Sequence, residues 1–164
     1  MINYASSNNI NVAASEVGTK ESPAGSNKTK YGLWAGLNGE KWCAIFVSWV
    51  YAEAKCQLEE IDMPKGYASC QAGYNYWKKS GQLTNDPQMG DIVLYDWNED
   101  GHCGHTGIFY KWIEKDKSFQ SYEGNTSVGS DSDGGAVMLR NRNKKYVKAF
   151  ISPKVINNPP PPII

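Results

Sequence analysis

The spacing of apolar residues predicts three helices in the first half of the chain. One face of residues 10–17 is apolar, with Asn8 or Asn9 as the N-cap. Residues 43–55 carry the strongest pattern, because apolar residues recur every three or four positions and others widen the stripe. This helix should therefore be largely buried. A third helix is predicted over residues 67–79, and residues 19–40 are expected to form an irregular surface segment.

The second half of the chain has the pattern of β-strands. Short runs rich in β-branched and aromatic residues are separated by clusters of Asp, Gly, Asn and Ser; the runs are residues 91–97, 106–112, 119–123, 136–142 and 146–151. Strands that follow helices in this order predict an α+β domain. Its N-terminal helices would pack on an antiparallel sheet of about five to six strands.

The length of the chain, 164 residues, is sufficient for one domain with its own hydrophobic core. The last residues, NNPPPPII, cannot join a helix or an interior strand and favour extended polyproline geometry. We therefore expect one domain over residues 1–154 and, over residues 155–164, the start of a linker to another region.

Charge and hydropathy argue against two kinds of partner. Seventeen basic and seventeen acidic side chains cancel and no long basic run is present, so no binding to nucleic acid is expected. The sequence has neither a run of about eighteen apolar residues nor a signal-peptide pattern at its start. We therefore expect no membrane association, synthesis into the cytoplasm, and a monomer.

Four cysteines are present without any C-x-x-C pair, so neither a zinc knuckle nor a dithiol redox motif is indicated. A disulfide between Cys56 and Cys70 is disfavoured in a protein made in a reducing compartment. Cys43 differs from the others because it stands at the start of a predicted helix. There, free N–H groups and the helix dipole would stabilise a thiolate. The alternative for Cys43 is a small buried apolar side chain.

A cysteine nucleophile needs a base, and the chain has two histidines, His102 and His105. His105 is preferred because it stands at the start of a predicted strand that would hold its ring, whereas His102 lies in a turn rich in Gly and Asp. A surface histidine remains the alternative for each. Glu123 and Asn125 are two residues apart, so on a strand they share one face and either could orient the ring of His105.

Two metal sites compete with a cysteine nucleophile. Asp96, Asn98 and Asp100 match the first half of a calcium loop, but Gly107 stands where the bidentate Glu should be. A hairpin turn explains the same residues, and also those at 130–135. A zinc site built around H-C-x-H would have its ligands too close together along the chain. We therefore expect no metal and no other cofactor.

Several motifs together resemble one family. WCAIFVSW, GDIVLYDW, GHTGIFY and YEGNTS, in this order, are similar to the CHAP family of cysteine, histidine-dependent amidohydrolases and peptidases, and most like catalytic domains of bacteriophage endolysins. The resemblance implies a papain-like fold of the NlpC/P60 and CHAP type, with residues 1–154 as the catalytic domain. It implies Cys43 as the nucleophile, His105 as the base, Glu123 as the residue that orients the base, and Asn125 as a further polar member.

The resemblance also implies an activity and a substrate. The substrate is bacterial peptidoglycan, cut at an amide bond of the stem peptide or cross-bridge by an endopeptidase or an N-acetylmuramoyl-L-alanine amidase. Such a bacteriolytic enzyme would collect in the host cytoplasm and act on the cell wall. Tyr31, Trp34 and Trp42 are candidate walls of the substrate groove, although a core position fits each as well. The alternatives are a wall-binding module without catalysis and a papain-like toxin that acts on host proteins.

Overall fold

The computed structural model describes residues 4–127 and 134–157, which form four α-helices and eight β-strands. The helices are α1 (Tyr4–Glu16), α2 (Lys30–Ala35), α3 (Cys43–Glu53) and α4 (Cys70–Lys79). The strands are β1 (Cys56–Leu58), β2 (Leu83–Thr84), β3 (Ile92–Tyr95), β4 (His105–Glu114), β5 (Ser118–Thr126), β6 (Ala136–Asn143), β7 (Val147–Ile151) and β8 (Val155–Asn157). Within these ranges, every helix is too short or too polar to cross a membrane.

Six of the strands form one sheet, on which α1 and α3 pack. Its six strands lie in the order β2-β7-β3-β4-β5-β6, and all neighbours are antiparallel. β1 and β8 form a separate antiparallel pair. Helices that lead the chain and an antiparallel sheet that follows confirm the predicted α+β class. The five predicted strands correspond to β3 to β7, whereas the short strands β1, β2 and β8 were not predicted.

α3 is the central helix. It contacts α1 and α2 on one side and β4 and β5 on the other. Eight of its eleven residues are buried, which explains why the apolar stripe is so wide in the sequence. The prediction of a buried helix that begins at Cys43 is confirmed. Because packing fixes this helix on several sides, its first residue has a fixed position against the sheet.

The structure corrects the predicted start of α1. The helix begins at Tyr4, so Asn8 and Asn9 lie inside it and neither is its N-cap. Asn9 is buried, and its Oδ1 accepts a hydrogen bond from the Cys56 thiol at 3.0 Å. Val17, the last residue of the predicted helix, lies beyond α1 and is 49% exposed, so the predicted end of this helix is one residue too late. Asn9 is buried because it binds Cys56 of β1, and no local sequence pattern indicates this contact.

Two further helix predictions need correction. The segment over residues 19–40, predicted to be irregular, contains α2. Thr29 caps this helix, since its Oγ1 accepts a hydrogen bond from Gly32 N at 3.0 Å, but six residues are too few for a periodic pattern. α4 begins at Cys70 rather than at residue 67, because the Ser69 side chain accepts a hydrogen bond from Ala72 N at 3.2 Å.

The fold continues past the predicted boundary at residue 154. β8 pairs with β1 and therefore belongs to the domain instead of a linker. Residues 158–164, to which the remaining linker prediction applies, lie outside the described residues, as do residues 130–133 of the turn predicted over residues 130–135.

Candidate active site

The first turn of α3 places Cys43 beside a second thiol. Cys43 is the first residue of the helix and is 5% exposed. Its Sγ lies 3.9 Å from the Sγ of Cys70, which is the first residue of α4. Two helix N-termini, each the positive end of a helix dipole, therefore meet at this pair of thiols and favour a negative charge. No disulfide is formed, and all four cysteines are free.

The surroundings of Cys43 favour its ionised form. A hydrogen bond from the Cys70 thiol lowers the pKa of Cys43 well below its ordinary value, against the effect of burial. The hydrogen bond and the positive charge of His105 lower this pKa further. Hydrogen bonds to Cys103 and Cys43, together with burial, raise the pKa of Cys70. Cys70 therefore remains a neutral thiol that donates to the Cys43 thiolate.

His105 is held between Cys43 and a carboxylate. It is the first residue of β4 and is fully buried, with Nε2 2.8 Å from Oε1 of Glu123 on β5. Among the described residues, its Nδ1 has no hydrogen-bond partner by geometry, although the ring interacts with the Cys43 thiol. Because Nε2 faces Glu123, Nδ1 is the nitrogen left to exchange a proton with that thiol. Burial lowers the pKa of His105, but hydrogen bonds and charges of Cys43 and Glu123 raise it to about 9. The arrangement thus favours a thiolate–imidazolium pair.

Glu123 is fully buried and is held by four side chains. Its Oε2 accepts hydrogen bonds from Ser121 Oγ at 2.7 Å, Arg142 Nε at 2.9 Å and the Tyr95 hydroxyl at 3.1 Å. Its Oε1 accepts from Arg142 Nη2 at 2.5 Å and faces His105. Burial raises the pKa of Glu123, but hydrogen bonds and charges of Arg142 and His105 lower it to about 2. The carboxylate is therefore ionised and fixed in orientation.

Two glycines allow the strands and helix of the site to approach one another. A Cβ at Gly107 on β4 would lie 2.7 Å from Glu123 Cγ and 2.8 Å from the carbonyl oxygen of Tyr122. A Cβ at Gly124 on β5 would lie 2.7 Å from Cβ of Phe46 on α3. Since real Cβ atoms do not come this close to their neighbours, the glycines of GHTG and YEGN permit the packing that brings Cys43, His105 and Glu123 together.

A β-bulge separates Asn125 from the face it was predicted to share with Glu123. The pairing of β5 with β6 shifts just after Glu123, and Asn125 has φ 56°. Its carbonyl oxygen accepts from Gly134 N at 2.9 Å and its Oδ1 from Gly135 N at 3.4 Å. Asn125 therefore braces the start of β6, and within the described residues it forms no hydrogen bond to the other candidate residues. The buried Nδ2 of Asn125 has no hydrogen-bond partner among the described residues.

The three aromatic candidates for groove walls lie in different places. Tyr31 and Trp42 are fully buried and stacked, with ring centroids 5.6 Å apart. The Tyr31 hydroxyl donates to Glu16 at 2.9 Å, and Trp42 Nε1 donates to Glu21 at 3.2 Å. Their prediction as groove walls is therefore wrong, because both belong to the core. Trp34 on α2 is half-buried, and its role in a groove stays a prediction.

The calcium candidates Asp96, Asn98 and Asp100 lie in one turn, and the Asp96 side chain stabilises this turn. Its carboxylate accepts hydrogen bonds from Gly101 N at 2.6 Å and Asp100 N at 3.2 Å, as the hairpin-turn explanation expects. Asn98 and Asp100 are exposed. Over residues 4–127 and 134–157, no group of three or more His, Cys, Asp or Glu side chains could hold a metal ion. Calcium binding by this turn stays a prediction.

Among the residues of the site that sequence reasoning missed, Cys70 and Arg142 are the ones that most affect its charges. From the sequence, Cys70 was considered as a disfavoured disulfide partner of Cys56, and Arg142 only as the last residue of a strand. Cys70 is 27 residues from its partner Cys43, and Arg142 is 19 residues from its partner Glu123. No spacing in the sequence indicates either contact, since each depends on how separate elements pack.

Comparisons with known proteins relate this chain to one family and to solved structures. A family model described as the CHAP domain matches residues 35–125, which is more than half of the chain. Among solved structures, the wild-type endolysin LysIME-EF1 is 17% identical with a TM-score of 0.55, over 90% of this chain and 63% of that chain. A Staphylococcus aureus protein of the NLP/P60 family, similar to a lipoprotein, is 14% identical with a TM-score of 0.49, over 96% and 43%. No curated protein sequence gives a match.

Proposed function

This chain belongs to the CHAP domain family, and from that premise we propose that it is a cysteine-dependent hydrolase of an amide bond in bacterial peptidoglycan. One observation carries the proposal: a thiol at the start of a buried helix, beside a histidine whose Nε2 is 2.8 Å from a buried carboxylate. The endolysin of similar fold supports peptidoglycan as the substrate. The roles proposed are Cys43 as nucleophile, His105 as acid and base, and Glu123 as the residue that orients His105.

The reaction begins from the thiolate–imidazolium pair. The Cys43 thiolate attacks the carbonyl carbon of the amide, and the carbonyl oxygen becomes an oxyanion. Backbone N–H groups in the first turn of α3 have no partner within the helix, and a hydrogen bond from the Ala44 backbone lowers the pKa of Cys43. They therefore supply the donors for the oxyanion, as well as the stabilisation of the thiolate.

Proton transfer completes both halves of the reaction. His105 gives its Nδ1 proton to the leaving amine, so the C–N bond breaks and a thioester with Cys43 remains. The neutral imidazole then takes a proton from water, and the resulting hydroxide equivalent attacks the thioester carbonyl. The C–S bond breaks, the acid product leaves, and the thiolate and imidazolium are restored. Throughout, the hydrogen bond to Glu123 keeps Nδ1 turned toward the sulfur.

The amide bond that is cut would be either a peptide bond of the stem or cross-bridge, or the bond between N-acetylmuramic acid and L-alanine. Mass spectrometry of digested purified peptidoglycan distinguishes them. An endopeptidase creates new peptide N-termini and leaves the glycan substituted, whereas an amidase frees the glycan strands from peptide. The digestion is repeated with several types of peptidoglycan. If neither product appears with any of them, the proposed function is contradicted.

Alkylation separates a hydrolase from a module that only binds the wall. Treatment with iodoacetamide at pH 7 should modify Cys43 first and abolish release of soluble fragments from peptidoglycan. The protein alkylated in this way should still sediment with insoluble walls. If alkylated Cys43 left the release of fragments unchanged, the thiol would have no part in the reaction.

A further inference from the structure

A buried arginine shares the carboxylate that holds His105. Arg142 on β6 is 8% exposed, and it binds both oxygens of Glu123, through Nε at 2.9 Å and through Nη2 at 2.5 Å. His105 approaches Oε1 of the same carboxylate at 2.8 Å. One buried anion therefore serves two cations, and the paired, two-bond geometry of the arginine fixes the plane of the carboxylate.

Aromatic rings hold the guanidinium in place. Its Cζ lies 4.7 Å from the ring centroid of Trp97 and 5.7 Å from that of Tyr95. The rings of both residues also stack beside the His105 ring, each with centroids 5.8 Å apart. A guanidinium remains charged at any physiological pH and is weakly hydrated, which suits a buried, stacked position. Arg142 also lies outside the part of the chain that the family model matches, residues 35–125.

The charges along the site alternate. From α3 to β6 they are the Cys43 thiolate, the His105 imidazolium, the Glu123 carboxylate and the Arg142 guanidinium. Without the guanidinium, His105 would be the one charged partner left to the carboxylate among those described above, beside the neutral donors Ser121 and Tyr95. The carboxylate would then hold the imidazolium proton more tightly, and it would itself be easier to protonate.

We propose that Arg142 is a positioning residue of the active site: it fixes the Glu123 carboxylate in its ionised form and, by sharing it, limits how strongly Glu123 retains the proton of His105. The inference rests on the proposed function, because that proton must pass to the leaving amine. Arg142 affects His105 through Glu123 and needs no contact with the substrate.

Other groups around the site could also affect its titration. Those that face His105, Glu123 or the Cys43 thiol are Tyr95 from β3, Cys103 from the loop before β4, Cys70 from α4, and Tyr67 from the loop before α4. Arg140 on β6 is a second nearby cation, but its Nη1 binds Thr126 Oγ1 at 2.9 Å and the carbonyl oxygen of Ser127. None of these groups changes in the variants proposed below, with the exception of Arg140 in the control.

The test is the pH dependence of Cys43 alkylation by iodoacetamide, which does not require hydrolysis of any substrate. The rate is followed by mass spectrometry of the Cys43 peptide, so reaction of the other cysteines does not interfere. Arg142→Gln removes the charge and keeps a donor, Arg142→Lys keeps the charge and loses the fork, and Arg140→Met is the matched control on the same strand.

Removing the cation that is bound to the Glu123 carboxylate raises the pKa of the groups paired along the site, whereas Arg140 binds Thr126 and Ser127. In Arg142→Gln we therefore expect both midpoints of the alkylation profile, the one for Cys43 and the one for His105, to move upward by about one pH unit. Arg142→Lys and Arg140→Met should keep both midpoints within roughly 0.3 unit of the wild type. A residue that served only stability would lower the unfolding temperature without moving the midpoints.

Unchanged midpoints in Arg142→Gln would overturn the inference. If Arg142→Gln does not fold, the test rests on Arg142→Lys. A shift of its alkylation midpoints by a full pH unit would contradict the inference, because this variant keeps the positive charge. These outcomes are independent of the proposed hydrolysis. A shifted profile with no peptidoglycan cleavage by the wild type would leave the role of Arg142 in place and overturn the proposed function.

Discussion

Gly107 tests whether close packing of β4 on β5 positions the carboxylate of the site. In Gly107→Ala, the new Cβ would lie 2.6 Å from Ser121 Oγ, 2.7 Å from Glu123 Cγ and 2.8 Å from the Tyr122 carbonyl oxygen. Ordinary contact begins at 3.4 Å, so β5 must move away from β4 by about 0.7 Å. The hydrogen bond between His105 and Glu123, now 2.8 Å, would then approach 3.5 Å, at the limit for such a bond.

This displacement should lower activity more than stability. Overpacking of this size costs about 1–3 kcal/mol, which lowers the unfolding temperature by roughly 2–12 °C in a domain of this length. A misplaced base, however, costs on the order of 100-fold in rate. We therefore expect release of soluble peptidoglycan fragments at 25 °C to fall by about 10- to 100-fold while the protein remains folded by circular dichroism.

Gly104→Ala is the matched control, because a Cβ at Gly104 would have no atom within 4 Å. It lies three residues earlier in the chain and adds the same methyl group in open space. We expect its rate to stay within about twofold of the wild type. Equal rates for the two alanine variants would refute the reasoning, since β5 would then have accommodated the methyl group without disturbing His105.

Three further predictions follow from the surroundings of the site. Cys70→Ala removes the thiol that donates to Cys43, so the pKa of Cys43 should rise and its alkylation at pH 6 should slow by about tenfold, whereas Cys56→Ala should leave that rate unchanged. Folding lowers the pKa of Glu123 from 4.5 to about 2, so stability of roughly 3 kcal/mol is present above pH 4.5 and is lost as the pH falls toward 2. The unfolding temperature of Glu123→Gln should consequently fall less steeply over this range, and a slope equal to that of the wild type would contradict the shift. Ser69→Ala removes the N-cap of α4 and should cost about 1 kcal/mol, measured by urea denaturation; an unchanged midpoint would show that the cap is not needed.

The sequence pattern predicted the long helices and strands whose burial follows a regular pattern along the chain. Residues 43–55 are apolar around most of the helix because α3 is enclosed by other elements, and β3 is apolar because all of its residues are buried. Short elements escaped prediction for a physical reason. β8 and α2 have three and six residues, too few to show a period, and β8 exists because it pairs with β1, about one hundred residues earlier.

The catalytic candidates could be predicted where few residues of the required type exist or where one has a distinctive position in a predicted element. Cys43 stood at a helix start, and His105 was one of two histidines. The partners of these residues could not be predicted in the same way. Asn125 was assigned to the face of Glu123 by strand alternation, which the bulge breaks. Tyr31 and Trp42 were candidates for a groove, yet an aromatic ring in the core and one in a groove have the same local sequence pattern.

The central claim is that the Cys43 thiolate forms and breaks the bond to substrate, and the rate of peptidoglycan hydrolysis by Cys43→Ala tests it most directly. The assay measures soluble fragments released from purified walls by the wild type, Cys43→Ala and the control Cys56→Ala, all confirmed as folded. Loss of the nucleophile should lower the rate by about 1,000-fold or more, while the control retains activity. Hydrolysis by Cys43→Ala at the wild-type rate would contradict the account.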